Sequence, residues 1–302
     1  MVYDNIGELI GNTPIIHFNK LTAVDGASRL YGKVEYFNPS GSVKDRAALY
    51  MLDDAMRRGV VNEATTVIEA TSGNTGIALA MLCAAKGLRL ILTMPESMSI
   101  ERRKILAIYG AELVLTPATD GIAGSVARAE ELNRTIKNSF IPSQFTNLAN
   151  PKAHFDTTAV EIARDLPDVK AIVTGVGSAG TINGIAKYFK QNNIGVKIIA
   201  VEPARSPLLS GGKAGAHGLQ GIGANFIPKF ADKTLIDEIV TVTDEEAYEY
   251  AKRLADREGL LCGITSGAAT AAAVAVSKHI DGKILAVLPD TGMRYLSTKM
   301  YD

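Results

Sequence analysis

The sequence predicts an α/β protein of two domains, each a mostly parallel sheet covered by helices. Three observations predict it. Short apolar runs alternate with segments of helical period. That alternation restarts after the polar, proline-containing stretch Asn147-Leu-Ala-Asn-Pro151. The chain has 302 residues, 47% of them apolar, which is one large core or two medium ones.

The elements follow in order. Val67–Ala70 reads as a buried strand, followed by a glycine turn and a helix over Gly76–Lys86. Leu88–Thr93 is the next strand, Ser99–Tyr109 a helix stopped by Gly110, Leu113–Thr116 a strand and Ser125–Ile136 a helix. In the second series Thr157–Leu166 reads as a helix ended by Pro167. Ala171–Thr174 is then a strand, Ile182–Gln191 a helix and Val196–Val201 a strand. Asp244–Glu258 and Ala268–His279 are helical, and Ile284–Leu288 is the last strand. Strands apolar on both sides point to parallel sheets covered on both faces. Ser206–Ile227 is glycine-rich and aperiodic, the pattern of a loop over a site.

Charge narrows the partners. Lysine plus arginine equals aspartate plus glutamate, 32 each, and no basic run stands out, so nucleic acid is a poor partner. Cys83 and Cys262 sit in apolar surroundings and read as buried free thiols of a reducing compartment. The histidines are scattered and there is no Cys-x-x-Cys, so no metal site is expected. The N-terminus has no signal-peptide pattern, and the apolar run Gly267–Val276 is too short to span a bilayer. The expected setting is cytoplasmic.

Two strand-to-helix turns offer anion sites. In Thr174-Gly-Val-Gly-Ser-Ala-Gly-Thr181, glycines allow close backbone approach and the helix start aims N–H groups at a phosphate. Many such turns bind nothing. The same stretch spells Gly-x-Gly-x-x-Gly at Gly175, Gly177 and Gly180, and Glu202 ends the next strand, so an NAD-dependent dehydrogenase is a rival. In Glu69-Ala-Thr-Ser-Gly-Asn-Thr-Gly76, the hydroxyls and amide of Thr71, Ser72, Asn74 and Thr75, with the backbone at Gly73, suit a substrate carboxylate. The plainer reading is a helix capped by Asn or Ser. Lys44, beside Asp45 and Arg46, is by composition alone a solvated helix-start residue, and Gln144 an ordinary loop residue. A catalytic amine needs burial or neighbouring cations to favour its neutral form.

Taken together, Ile6-Gly-Glu-Leu-Ile-Gly-Asn-Thr-Pro14, Asn38-Pro-Ser-Gly-Ser-Val-Lys-Asp-Arg46, the Thr71–Thr75 loop, Gly177–Thr181, Gly263-Ile-Thr-Ser-Gly-Ala268 and Arg294-Tyr-Leu-Ser-Thr298 resemble the cysteine synthase family. These are the O-acetylserine sulfhydrylases, and the similarity covers nearly the whole chain. The resemblance implies fold type II, as in tryptophan synthase β. It implies a smaller domain over residues 37–150 and a larger one over 1–36 plus 151–302, with the active site between them. It implies pyridoxal phosphate carried by Lys44 as an internal Schiff base, the freed lysine then moving the Cα proton. Thr71–Thr75 would grip the substrate carboxylate with help from Gln144, and Asn74 would also meet the cofactor's ring hydroxyl. Gly177, Ser178, Ala179, Gly180 and Thr181 would hold its phosphate, and Thr265 would meet the pyridine nitrogen. A hydroxyl there stabilises a protonated ring less than a carboxylate does, which favours loss of a β-leaving group.

The implied reaction joins O-acetyl-L-serine and sulfide into L-cysteine and acetate through an aminoacrylate. A homodimer is implied, and a serine acetyltransferase whose C-terminus enters the site. Departures from the family pattern are Ser178 and Ala179 in the phosphate loop, Ala159 and Asn225 where glycine is common, and Met293 for a glutamate. Within the family, release of sulfide from cysteine, a cystathionine β-synthase-like reaction and a synthase using another nucleophile stand as alternatives.

Overall fold

The computed structural model describes residues 1–25, 29–71 and 73–301. In chain order these form β1 (Ile15–His17), α1 (Asn19–Asp25), β2 (Leu30–Val34), α2 (Lys44–Arg57), β3 (Thr66–Ala70) and α3 (Asn74–Lys86). β4 (Arg89–Pro95), α4 (Ile100–Ile108), β5 (Glu112–Thr116), α5 (Gly121–Thr135), β6 (Ser139–Phe140) and α6 (Ala149–Ala153) follow. The rest is α7 (Ala159–Asp165), β7 (Val169–Gly175), α8 (Gly180–Gln191), β8 (Lys197–Pro203), β9 (Glu238–Val242), α9 (Asp244–Glu258), α10 (Ile264–Val276) and β10 (Lys283–Leu288).

Two units divide the chain. The first comprises Met1–Ile10 and Lys44–Asn150. Its sheet runs β5-β4-β3-β6, with every pairing parallel. Side chains of successive strand residues point to opposite faces. Val67, Leu90 and Leu92 therefore join one core with Leu52 of α2, Leu79 and Leu82 of α3 and Leu106 of α4. Ile68 and Ile91 join the other with Ala129 of α5. Ile6 and Ile10 pack against the first of these cores, which places the chain's first residues in this unit.

The second unit comprises Gly11–Val43 and Pro151–Asp302. Its sheet order is β1-β2-β10-β7-β8-β9, antiparallel only between β1 and β2. Ala171 and Val173 face α9 and α10, while Ile172 faces α7 and α8. Residues 38–43 belong here because the backbone of Val43 donates to the carbonyl of Pro289 (2.8 Å) and Ser42 bridges Asp290.

The sequence expectation omits β1, α1, β2, α2, β6 and β9 and starts several helices late. The helix expected over Thr157–Leu166 starts at Ala149, runs through a π turn at His154–Thr158 and ends at Asp165. Pro151 is tolerated because it lies in the first turn, where its missing N–H costs nothing. The helix expected over Ala268–His279 starts earlier, at Ile264, capped by Gly263. Lys33 of β2 is fully buried, its Nζ donating to the Thr13 carbonyl (2.6 Å) and to Glu161 Oε2 (2.7 Å). That pairing hides a strand from any hydropathy pattern, because a buried charge is tolerated only with its partners in place.

Candidate active site

Lys44 is the first residue of α2 and is partly buried, whereas its neighbours Asp45 and Arg46 are buried. The expected solvated lysine is thus a helix-start residue at the edge of a buried acid–base run. In the same unit, β3 feeds the turn before α3. The capping reading of that turn is corrected: the N-cap is Gly73, with no side-chain cap bond, and Asn74 is the first helical residue. Thr71 Oγ1 accepts from the Gly73 N–H (3.3 Å), and Thr75 Oγ1 donates to Gln144 Oε1 (2.8 Å). The structure thus brings Gln144 to the Thr71–Thr75 turn from 69 residues away. A side chain at Gly76 would be tight, since a Cβ there would lie 3.1 Å from the Thr71 carbonyl oxygen. Ser72 lies outside the described residues.

Glu69 escaped the sequence reading as a site residue. It is the penultimate residue of β3, after Val67 and Ile68, and an acid in such a run is a buried-polar signal. Its Oε2 accepts from the Ser143 N–H (3.0 Å), and Ser143 has a left-handed backbone, φ +56°. Burial, which outweighs that hydrogen bond, raises its pKa from 4.5 to about 7. A raised acid stabilises the folded state fully below its unfolded pKa and loses that stability as pH rises through the folded value. Glu69→Gln cannot ionise. Its stability relative to the unsubstituted protein is expected to rise between about pH 4.5 and about pH 8, by at most about 3 kcal/mol. Denaturant unfolding at the two pH values measures this, and an equal offset at both would show that Glu69 does not titrate there.

In the second unit, β7 leads into the turn Val176–Ala179 and α8. The turn is tight: a Cβ on Gly177 would lie 2.4 Å from the Gly221 carbonyl oxygen. Ala179, the N-cap of α8, is left-handed, φ +63°. A glycine there would avoid a strain that costs about 1–2 kcal/mol for an L-residue. Ser178 Oγ accepts from the Gly180 N–H (3.5 Å). Thr181 Oγ1 lies 3.2 Å from His154 Nε2, and His154 Nδ1 lies 2.9 Å from Thr158 Oγ1. His154, 2% exposed on the π turn, is a second residue that sequence reading missed. A lone histidine in a helix carries no spacing signal.

The Ser206–Ile227 loop packs on this turn. Gly223 N–H donates to the Val176 carbonyl (3.1 Å), and Thr265 Oγ1, in the first turn of α10, donates to the Gln220 carbonyl (3.0 Å). Asn225, left-handed at φ +60°, accepts from Ser206 Oγ (2.8 Å), so the position where glycine is common is held by an asparagine suited to that backbone. Met293 is exposed. The backbone-lined turn at the start of a full-length helix, closed by glycine and by a loop carbonyl, fits a phosphate group. Glu202, the acid a dinucleotide site would use, is 3% exposed. It accepts instead from the backbone N–H groups of Leu209 (2.7 Å) and Ser210 (2.9 Å). No cluster of metal-ligating side chains occurs among the described residues. Cys83 and Cys262 are free and buried, and burial pushes both thiols up.

A sequence profile described as pyridoxal-phosphate dependent enzyme matches residues 6–290. The chain is 49% identical over 302 residues to a protein named cysteine synthase B from Campylobacter jejuni, covering 99% of each. A solved cysteine synthase from Entamoeba histolytica superposes with a TM-score of 0.95 at 38% identity, covering 100% of this chain and 91% of that one. A solved O-ureido-L-serine synthase does so with a TM-score of 0.95 at 40% identity, covering 100% and 96%. The chain belongs to the pyridoxal-phosphate dependent enzymes and, within them, to the cysteine synthase family.

Proposed function

We propose that the protein joins O-acetyl-L-serine and sulfide into L-cysteine and acetate with pyridoxal phosphate as cofactor. The observation that carries this reading is the near-full-length identity to a cysteine synthase. The dehydrogenase rival loses its support, because both carboxylate oxygens of Glu202 are taken by the following turn. Bound in the site, pyridoxal phosphate supplies the electron sink that lets acetate leave the β-carbon.

This chain's residues do the rest. Lys44 Nζ would hold the cofactor and, when free, would move the substrate's Cα proton. Thr71, Ser72, Gly73, Asn74 and Thr75 bind the substrate carboxylate, and Gln144 is held to that turn by the Thr75 hydroxyl. Asn74 would also bind the cofactor, Gly177, Ser178, Ala179, Gly180 and Thr181 would hold its phosphate, and Thr265 would offer its ring a hydroxyl. The reading extends to a cytoplasmic homodimer with the C-terminus of a serine acetyltransferase as partner. Among the described residues, no helix is long and apolar enough to cross a membrane.

The test is spectroscopic. The purified protein is expected to be yellow, and borohydride should fix the chromophore to Lys44. O-acetylserine should abolish the visible band and sulfide should restore it. A colourless protein that binds NAD would overturn the reading. A band that answers to cysteine or serine but not to O-acetylserine would move the function to a lyase or another β-replacement.

A further inference from the structure

The segment after β10, Pro289-Asp-Thr-Gly-Met-Arg-Tyr295, has no part in the reaction described above. It nevertheless runs between two functional stretches of its unit. Toward the loop that leads into Lys44, the Pro289 carbonyl accepts from the Val43 N–H (2.8 Å), Asp290 forms an antiparallel bridge with Ser42, and Arg294 Nη2 donates to the Ser40 carbonyl. Toward the start of α10, which carries Thr265, the Asp290 carbonyl accepts from the Gly263 N–H (2.9 Å). On that side Thr291 also bridges Cys262, and the Gly292 N–H donates to the Leu261 carbonyl (2.9 Å).

The two stretches leave no slack around it. A Cβ on Gly263 would lie 2.1 Å from Asp290 Oδ1. Gly292 is closed off by Tyr301, whose hydroxyl would lie 2.2 Å from an added Cβ. A buried side-chain bond ties the two ends of the segment: the Tyr295 hydroxyl donates to Asp290 Oδ2 at 2.6 Å, with Asp290 1% and Tyr295 3% exposed. A buried hydrogen bond to a carboxylate is among the stronger polar contacts, and its loss leaves an acceptor that water cannot reach.

We infer that Pro289–Tyr295 is a strap that sets the register of the Lys44 loop against the Thr265 helix start, with Tyr295 and Asp290 as its positioning residues. The inference rests on the roles given above to Lys44 and Thr265. Neither Tyr295 nor Asp290 is given a substrate or cofactor role in that reading. Their effect passes through the backbone of Ser42, Val43 and Gly263, in the stretches that lead to Lys44 and Thr265. Small displacements of such groups reduce rate more than binding.

The strap is tested in the cofactor-loaded enzyme with Tyr295→Phe, which removes one oxygen and keeps the ring. Amide hydrogen exchange at both Val43 and Gly263 is expected to rise at least about tenfold, because their acceptors lie on the strap. kcat should fall at least about tenfold while KM for O-acetylserine changes less than about twofold. Arg294→Met, which removes the bond to the Ser40 carbonyl and keeps the Tyr295–Asp290 bond, should speed exchange at Val43 and leave Gly263 unchanged. Unchanged exchange at Val43 and Gly263 in Tyr295→Phe, or a rise confined to one of them, would overturn the strap. So would a KM that rises in proportion as kcat falls. These outcomes separate from the underlying reading, which is judged on the unsubstituted protein by its chromophore on Lys44 and the answer of that chromophore to O-acetylserine.

Discussion

Replacing Lys44 by alanine is expected to lower the β-replacement rate by at least about 10⁴-fold while leaving the protein folded. The loss combines two roles of one amine. Proton transfer by a positioned side chain contributes up to about 10⁴-fold, and covalent attachment of the cofactor is lost as well. The fold should survive because alanine is the best helix former and Lys44 heads a helix whose next residues, Asp45, Arg46, Ala47 and Ala48, stay buried. The cofactor should remain partly bound through the α8 turn. Dialysis followed by absorbance separates the two effects: borohydride should fix no chromophore to the variant, while some free cofactor stays with it. Activity above about one per cent of the unsubstituted enzyme would remove Lys44 from the central role.

Gly177→Ala should weaken cofactor binding by about 10- to 100-fold. The added methyl would lie 2.4 Å from the Gly221 carbonyl oxygen, so backbone meets backbone and no side chain can swing away. Overpacking of this kind costs roughly 1–3 kcal/mol, and the displaced elements are the turn itself and the loop that closes it. Ala179→Gly is the matching control. It adds nothing and relieves a left-handed alanine, so affinity should hold or improve. Equilibrium titration of cofactor into resolved apoprotein gives both values. Unchanged affinity in Gly177→Ala would mean that this turn does not hold the phosphate.

Much of the fold was legible because both sheets are mostly parallel and covered on both faces. Strands such as Ile284–Leu288 and Val196–Val201 therefore stand out as unbroken apolar runs. β2 was illegible because Gly32 and Lys33 interrupt it. Glycine is required there by the close approach of Phe18 and Leu288, and lysine is buried by Glu161 from 128 residues away. The site divided in the same way. The glycine turn and the hydroxyl-rich turn are local, so their spacing carried them. The Thr75–Gln144 bond, the Glu69–Ser143 bond and the contact of His154 with Thr181 are products of folding, and no local pattern encodes them. The identities of Lys44 and Thr265 came from resemblance, since a lysine at a helix start looks the same at a surface as in a site.

The π turn at His154–Thr158 also sets a phase. A π turn adds one residue to a helical path without adding length in proportion. Everything beyond it is rotated by about 100° relative to a continuous α-helix. Glu161 lies three residues past that turn, and its two oxygens meet Lys33 Nζ (2.7 Å) and the Asn12 N–H (2.9 Å). Deleting a single residue from His154–Thr158 would carry Glu161 around the helix and present another side chain to a buried ammonium. The chain length of this one turn thus acts as a molecular vernier: a change of one residue, with no change of composition, decides which group neutralises Lys33.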